Sequence, residues 1–579
     1  MEMMNIEMSA CIKRCLIAAL AVIIGNASVF AKDVKLGPGD RCEELKSNEH
    51  YVQLSPSIIE AEDSIAERYA IVPWPREFKP VSGELLIRPT VSWSAAEWYD
   101  FDRLGEAIKE IPKKVVRERS LPPEGYRLRV MQDGVEIVAA DEAGEFYALT
   151  TLRQLVSSQE TNSVAFSCCE ISDYPAYRWR GVLVDEGRTF LGKEMMKKIL
   201  DAMAMHKLNV LHWHLTEDQG WRIELKRHPE ITRHGAMRSR SVGFGAHASW
   251  LPPKRSLEFL NINDECYGPF FYKQDDIRDI LAYAKVRHIT VVPEVELPGH
   301  VSALLSSHPE LICNGKTAPK EPAVTWGVKS EVLCVGNPQT LELLEDIFAE
   351  LCELFADAPF IHIGGDECPR DNWKDCPRCQ ALMKREGMKK EAELQTYITS
   401  KIVRFLEKKG RRAVGWDEIL AGDVPVSTVG QVWRSSARAG AGTEFVSTEE
   451  AIKRGHDMVI SPSSYCYFNM PQGLKHDSYP YYSPWKGHEI TLEKAYEYNP
   501  MRGLSKEERK HVLGGEFTLW GETMYNIFDL EWKAWPRGCA TAEVLWLGDA
   551  KPDFDDFKRR MKLHRLRLLD NHINCAPLD

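Results

Sequence analysis

IHIGGDECP, residues 361–369, closes a short apolar run with two glycines, two adjacent carboxylates and a cysteine. Neighbouring carboxylates repel each other, so a chain does not set Asp366 beside Glu367 in a cleft without a use for the pair. Short apolar runs of the same texture recur from about Arg178 onward, each followed by polar residues and then a helical segment. They are GVLVD (181–185), NVLHWHL (209–215), ITVVPEV (289–295), FIHIG (360–364), RAVGW (412–416), VGQVW (429–433), DMVIS (457–461) and VLGGEF (512–517). Several intervening helices are plain: KEMMKKILDAMAMH (193–206) sets Met195, Ile199, Ala202, Met203 and His206 on one stripe, and 275–288 and 338–355 repeat the pattern. Eight βα-like units predict an α/β fold of the (β/α)8 TIM-barrel type with insertions. A doubly wound sheet has the same texture, because strand order is not written in a sequence.

Outward from that core, residues 32–172 read as a small α/β accessory domain preceding a barrel that occupies 173–579. The clearest part begins at Glu124: YRLRV alternates, QDG turns, VEIVAA alternates, and Phe146, Leu149, Leu152 and Leu155 then recur at helical spacing. Residues 222–274 form a long connection rich in Pro, Gly, Arg and Ser, of the kind that shapes a site on a barrel. The stretch DFDDFKRRMKLHRLRLLDNHI (553–573) predicts an amphipathic C-terminal helix with its apolar side on the barrel. No repeat of fixed period and no low-complexity tract is present.

The chain has 579 residues, 44% of them hydrophobic and 27% charged, with a formal net charge of -11. Such a composition is that of a folded soluble protein, and the acidic balance argues against a nucleic-acid surface. Lys13 and Arg14 precede the apolar run CLIAALAVIIG (15–25), and Val29 and Ala31 sit at cleavage spacing. Residues 1–31 are therefore read as a signal peptide cut after Ala31, which directs the chain to a periplasmic, secreted or lumenal destination. The run is shorter than the ~20 residues a membrane span needs, and no later segment is long and apolar enough to span once the leader is removed. Fifteen cysteines, two of them in the leader, do not make a disulfide scaffold. CPRC (376–379) follows closely on Cys368, and a local disulfide or buried free thiols are the readings; no second CxxC completes a zinc set, and no metal site is expected.

In a barrel, chemistry sits where strands end and βα loops begin. The runs end, in order, with Asp185 and Arg188; Glu217, Asp218 and Trp221; Glu294, Glu296 and His300; Asp366 and Glu367; Trp416, Asp417 and Glu418; Trp433 and Arg434; Tyr467 and Asn469; and Trp520 and Glu522. A lone Trp or Glu at a strand end is ordinary packing or a solvated charge. Carboxylates and tryptophans converging from eight ends point to a carbohydrate, whose hydroxyls need bidentate acceptors and whose C–H faces need flat apolar surfaces. His212 and His214 lie on one strand face, where hydrogen-bonded histidines are the expectation.

On RGVLVDEGRTF, NVLHWHLTEDQGWR, VVPEVELPGH, FIHIGGDE, GWDE, QVW, YCYFN and LWGE, taken in that order, the chain resembles the family-20 glycoside hydrolases, the β-N-acetylhexosaminidases. The N-terminal segment with YRLRV and the run at 151–155 resembles that family's accessory domain. The resemblance implies an exo-acting, retaining enzyme without cofactor or metal. Its substrates would be oligosaccharides or glycoconjugates ending in β-linked GlcNAc or GalNAc. The sequence sets no oligomeric state.

An ordinary retaining glycosidase opposes two carboxylates across the bond, about 5 Å apart. Sequence neighbours diverge and cannot flank a sugar that way, so Asp366 and Glu367 divide the labour. The resemblance implies that Glu367 is the general acid, its pKa raised by burial and its anionic neighbour. It implies that the substrate's own 2-acetamido oxygen attacks C1, with an ionised Asp366 holding the positive oxazolinium N–H, a substrate-assisted route that is this family's known exception to the two-carboxylate scheme. By the same resemblance Arg188 binds O3 and O4, and Trp416, Trp433 and Trp520 box the acetamido methyl. Tyr467 donates to the acetamide oxygen, Glu522 binds O4 or O6, and His300 supports the acid. The family commonly has Asp where this chain has Glu217 and Glu296, and Tyr-x-Asp where it has Tyr467-Phe468-Asn469. Glu217 is placed in the network supporting His300, and Asn469 keeps one acceptor at the sugar hydroxyls without the charge. A non-catalytic amino-sugar-binding barrel, a conventional two-carboxylate glycosidase and a GGDEF-type nucleotide cyclase are the rival readings. The last fails on Cys368 in place of Phe and on the absence of a basic phosphate site.

Overall fold

The computed structural model describes residues 69–88, 108–160, 163–241, 266–434, 445–473, 488–524 and 526–578. The leader expectation and residues 242–265 of the long connection lie outside them. The N-terminal part is a mixed sheet of β1 (Glu77–Ile87), β2 (Lys113–Arg117), β3 (Tyr126–Met131), β4 (Gly134–Ala139), β5 (Val156–Glu160) and β6 (Ser163–Asp173), covered by α1 (Glu142–Gln154). Its order is β1-β6-β3-β4-β2, with β5 on the free part of β6. The expected hairpin is β3–β4: Tyr126, Leu128 and Val130 point into the core while Arg127 and Arg129 face water. Asp141 caps α1 by accepting from the Gly144 N–H, and Ala148, Leu152 and Leu155 bury under the helix. Phe146 and Leu149 are only partly buried against the same core.

The remainder is a closed barrel of eight parallel strands. They are β7 (Trp179–Asp185), β8 (Val210–His214), β11 (Thr290–Glu294), β12 (Phe360–His362), β13 (Arg412–Trp416), β14 (Val429–Val432), β15 (Met458–Ile460) and β16 (Val512–Leu519); β9 (Thr216–Glu217) and β10 (Gly220–Trp221) make a small ribbon after β8. Closure comes from β16 pairing along β7, from Gly514 opposite Trp179 to Leu519 opposite Val184, which excludes the doubly wound sheet. All eight runs named from the sequence are barrel strands; β7 and β16 extend two residues further than their runs, and β12 stops two residues short. The helices that shape the site and the packing are α2 (Lys193–Met205), α3 (Gln274–Lys285), α4 (Pro338–Leu354), α5 (Pro377–Glu386), α6 (Ala392–Lys408), α7 (Arg537–Leu547) and α8 (Phe554–Asp570). On α2 the buried stripe runs through Met196, Ile199, Leu200 and Met203, one residue round from Met195.

The barrel interior is layered. Trp179, Val210, Val292, Val414, Val429, Val459 and Leu513 fill the end where the strands begin. Moving along the strands, a polar layer comes next: Glu516 accepts from Trp179 Nε1 at 2.9 Å and Gln431 Nε2 at 2.6 Å and lies 2.8 Å from His212 Nδ1. At the end where the strands finish, Leu183, Trp416 and Trp520 meet. Inward-facing residues two apart on β8, Val210, His212 and His214, step through all three levels, as the strand period requires.

The C-terminal helix forms as expected and buries more than its apolar side. Its buried side carries Arg560, His564 and Arg567 along with Phe557, Met561 and Leu568. Arg560 forks onto Glu543 of α7 at 2.7 and 2.8 Å and donates to the Ile71 carbonyl; Arg567 donates to the carbonyls of Ala70 and Gln154. The helix thus fastens the accessory sheet to the barrel through buried charge as well as an apolar stripe. A second tie is Asp173 at the end of β6, which accepts from Tyr126, from Lys207 at 3.0 Å and from Trp546 of α7.

Candidate active site

β12 ends at His362, and the chain turns through Gly364 and Gly365 before presenting Asp366 and Glu367. Both glycines have positive φ, 60° and 105°. A Cβ on Gly364 would sit 1.8 Å from Glu296 Oε2, and the Gly365 N–H donates to that same oxygen at 3.2 Å. The glycines are there because the backbone passes hard against the Glu296 carboxylate. Glu367 itself has φ 46°, as His300 has φ 50°, and non-glycine residues are held in this region chiefly where a site needs them.

His300 joins the pair to a buried anionic network. Its Nδ1 lies 2.7 Å from Glu217 Oε1 and 3.0 Å from Asp218 Oδ2; its Nε2 lies 3.8 Å from Asp366 Oδ2 and 3.7 Å from Glu367 Oε2. Glu217 also meets His214 Nε2 at 3.2 Å and Arg188 Nη2 at 3.3 Å. Burial alone would strip His300 of its proton, but Glu217 and then Asp218 and Asp366 hold its pKa well above the usual histidine range. Burial likewise opposes the charge on Glu217, and Arg188 and His300 overcome it, keeping Glu217 ionised. The catalytic candidates move the other way. Burial raises Asp366 to about 7, with His300 opposing and Glu418 and Glu367 adding; burial raises Glu367 too, against the pull of His300. The sequence put the bound proton on Glu367 alone, whereas both members of the pair are raised, because both leave water together.

The aromatic candidates form one wall. Trp416 and Trp520 have ring centroids 5.6 Å apart, Trp520 and Tyr467 5.9 Å, and Tyr467 and Trp433 6.3 Å. Trp416 Nε1 donates to Glu294 Oε1 at 2.9 Å and Trp433 Nε1 to Glu418 Oε2 at 2.9 Å, which fixes both rings. The Tyr467 hydroxyl is held neutral first by burial and then by the charges of Asp366, Glu418 and Glu367. Arg188 meets the wall at one end: its guanidinium lies 5.2 Å from the Trp520 ring and its Nε 3.8 Å from Glu522 Oε1. Contacts thus link Arg188, Glu217, His300, Asp366 and Glu367 in one chain and Trp416, Trp433, Tyr467, Trp520 and Glu522 in another, joined at Arg188. Asn469 lies two residues beyond Tyr467, buried, with no bond to its Oδ1 among the described residues.

Buried polar atoms are normally paired. Here Arg188 Nε, His300 Nε2, Asp366 Oδ1, Trp520 Nε1 and Glu522 Oε2 have no hydrogen-bond partner among the described residues. Donors and acceptors left over at one mouth, beside an aromatic wall, are what a hydroxylated ligand with an apolar face would satisfy.

Four carboxylates do more than their strand-end positions suggested. Glu294 lies 2.7 Å from His362 Nδ1 and 3.1 Å from His212 Nε2, and it contacts His214 as well as Trp416. His212 and His214 are thereby held by carboxylates, as expected of strand histidines. Asp218 accepts from the Ser302 N–H and hydroxyl and orients His300. Asp185 accepts from Arg188 Nη1 at 2.9 Å and from the Gly521 N–H at 2.8 Å, aiming the guanidinium. Glu418 positions Trp433. The only signal for these was the density of acids at strand ends; which acid serves which ring is a matter of three-dimensional neighbours. In the long connection, Tyr272 donates to buried Glu186, and Arg238 donates to the carbonyls of Arg188 and Gln219, so this segment props the Arg188 loop from behind.

Two family models match the chain: "Glycosyl hydrolase family 20, catalytic domain" over residues 177–549 and "Glycosyl hydrolase family 20, domain 2" over 68–174. A β-hexosaminidase of Porphyromonas gingivalis is 38% identical over 467 residues, 78% of this chain; the chain spans only 55% of that relative's length. One from Akkermansia muciniphila is 30% identical over 450 residues, covering 78% of this chain and 85% of the relative. Among solved structures, an exo β-N-acetylglucosaminidase of Vibrio harveyi in complex with N-acetylglucosamine superposes with a TM-score of 0.73 at 28% identity, over 90% of this chain and 80% of that one. A β-N-acetylhexosaminidase of Bacteroides fragilis gives 0.70 at 28% identity, over 88% and 97%. With the first model alone spanning more than half of its residues, the chain belongs to glycosyl hydrolase family 20.

Proposed function

We propose that the protein is an exo-acting, retaining β-N-acetylhexosaminidase that removes terminal GlcNAc or GalNAc by substrate-assisted catalysis. The observation that carries this reading is the placement of two adjacent, raised carboxylates next to a wall of three tryptophans and a tyrosine, with four of the other acids of the mouth engaged and Glu522 set beside Arg188. Asp185 pairs with Arg188, Asp417 with Arg434 at 2.8 Å, Glu418 with Trp433, and Glu217 with His300. A conventional mechanism needs a second, free carboxylate across the bond. The acetamide mechanism needs instead an anion for the developing N–H⁺ and an apolar slot for the methyl.

In that mechanism Glu367 protonates the glycosidic oxygen while the acetamide oxygen closes on C1. The nucleophile belongs to the substrate, so its effective concentration is high without any protein nucleophile. Positive charge growing on the acetamide nitrogen draws Asp366 to its ionised form, and the proton that the pair retains then resides on Glu367. Tyr467 donates to the acetamide oxygen, Trp416, Trp433 and Trp520 enclose the methyl, and Arg188 with Glu522 and Asn469 meets the ring hydroxyls. Glu367 then deprotonates the water that opens the oxazolinium ring, and the configuration at C1 is retained. No cofactor enters these steps. The likeness to an exo β-N-acetylglucosaminidase of Vibrio harveyi supports the same substrate class.

A panel of aryl β-glycosides with and without the 2-acetamido group tests the reading. Turnover confined to the N-acetyl members is expected. Equal turnover of plain glucosides would point to a two-carboxylate enzyme, and binding without turnover to a lectin-like barrel. We infer in addition that residues 1–31 direct export. N-terminal sequencing of the protein from its native cells should begin at Lys32, and a retained leader would count against it.

A further inference from the structure

Cys376 and Cys379 are the cysteines of CPRC, which from the sequence lacked partners for a metal. The fold supplies them. Ile312 and Leu333 form an antiparallel bridge, and the cysteine after each, Cys313 and Cys334, is carried to the start of α5, where Cys376 is the N-cap and Cys379 lies in the first turn. The four sulfurs lie within 4.8 Å of one another and all four residues are buried. Cys334 Sγ is 3.6 Å from Cys376 Sγ and 3.7 Å from Cys379 Sγ, and Cys313 Sγ is 3.9 Å from Cys379 Sγ. None is in a disulfide among the described residues, and the contacts go beyond the two pairs Cys334–Cys376 and Cys313–Cys379, since Cys334 and Cys379 also touch each other across them. Four sulfurs about 2.3 Å from a central ion in a tetrahedron are about 3.8 Å apart, which is the spacing found.

We propose that Cys313, Cys334, Cys376 and Cys379 form a structural tetrathiolate zinc site that fastens together the two loops carrying His300 and Glu367. The first loop leaves β11 and runs to α4; the second leaves β12 and contains α5. Both are pinned side by side near the sulfurs: Trp373 Nε1 donates to the Leu333 carbonyl at 3.0 Å and Asn372 Nδ2 to the Ser330 carbonyl at 2.7 Å. Gly336 is needed for the approach, since a Cβ there would fall 2.4 Å from the Cys379 nitrogen and 2.2 Å from the Arg378 carbonyl carbon. Binding Zn²⁺ releases four thiol protons and leaves a net charge of minus two on the cluster. The N-terminus of α5, Arg378 and the Gly336 N–H, which bonds to Cys379, face that charge. Thiolate donors in this number and shape select zinc over hard cations. Cys368, which follows Glu367 directly in the chain, is not among the four and has its Sγ on the Pro369 carbonyl.

The test uses the full chain purified without chelator. Metal analysis should find one zinc per chain, released only when an organomercurial occupies the thiols. Replacing zinc by Co²⁺ in the wild-type protein should give the intense visible bands and sulfur-to-metal charge transfer of a tetrahedral tetrathiolate. Cys376→Ser should lose the zinc, Cys376→His should recover part of it, and Cys352→Ser, remote on α4, should keep it. Two disulfides mapped among the four cysteines, four free thiols that take up no zinc after reduction, iron in its place, or zinc that survives Cys376→Ser would each overturn the proposal. The cobalt spectrum decides even where a cysteine variant fails to fold.

Discussion

Changing Glu217 to Gln tests how the network behind His300 sets the working pH. Glu217 is the first of the carboxylates that keep His300 protonated, at 2.7 Å from its Nδ1, and Asp218 at 3.0 Å is the second. A unit charge about 4 Å from a carboxylate is worth about 4 kcal/mol at an effective dielectric of about 20, or about three pKa units, as an upper bound. His300 Nε2 stands 3.7 to 3.8 Å from Glu367 and Asp366. The imidazolium charge is spread over the ring and Asp218 remains, so the expected change is about one unit. The sign comes from the ionisations. Losing Glu217 lowers the His300 pKa, and a less protonated His300 no longer depresses Asp366 and Glu367; the direct lift that the Glu217 charge gives Glu367 is lost as well but is the smaller effect, so both pKa values rise. Asp366 must be ionised and Glu367 protonated, so the acid limb and the alkaline limb of the kcat/KM profile should both move to higher pH by about one unit. Arg188 keeps Asp185, so folding should survive. The assay is the pH profile with a 4-nitrophenyl β-N-acetylhexosaminide, alongside a thermal melt. A profile that stays in place, or moves to lower pH, in a variant with a native melt would refute the reasoning.

The geometry sets three more outcomes. Glu367→Gln should cost about 10²–10⁴-fold with poor leaving groups and much less with an activated aryl group, read as kcat/KM across a leaving-group series; a uniform loss would remove its role as acid. Gly364→Ala puts a Cβ 1.8 Å from Glu296 Oε2 at φ 60°, and should cost on the order of 10²-fold in kcat through displacement of the pair, with a lowered Tm. Arg560→Ala leaves Glu543 buried without its fork and should destabilise by about 3–5 kcal/mol in urea unfolding, while the folded fraction keeps its specific activity.

The barrel was legible because parallel strands buried on both faces read as short continuous apolar runs, and RAVGW or VGQVW can be little else between helices. Strand order was not legible, since nothing in VLGGEF or GVLVD states that the two pair and close the ring. The pair at 366–367 and the tryptophans could be named because acids and tryptophans recur at one strand end after another and the pair sits side by side. The partners of Glu294 could not: His212, His214, His362 and Trp416 come from three strands and meet only once the barrel is closed. The small sheet was half legible. β3 and β4 alternate cleanly, whereas β6, SVAFSCCEISD, is buried nearly throughout between neighbours and lost its alternation. The cysteine cluster escaped for the plainest reason: Cys313 and Cys334 are brought to CPRC by a bridge between residues far apart in the chain.

The central claim is that the substrate's acetamide supplies the attacking oxygen while Asp366 steadies its nitrogen. The most direct measurement is kcat/KM for 4-nitrophenyl β-glucosaminides whose N-acyl group is acetyl, fluoroacetyl, difluoroacetyl or trifluoroacetyl. Each fluorine withdraws electron density from the carbonyl oxygen, so the account predicts a steep stepwise fall along the series. A flat series, with the trifluoroacetyl substrate cleaved as fast as the acetyl one, would contradict it.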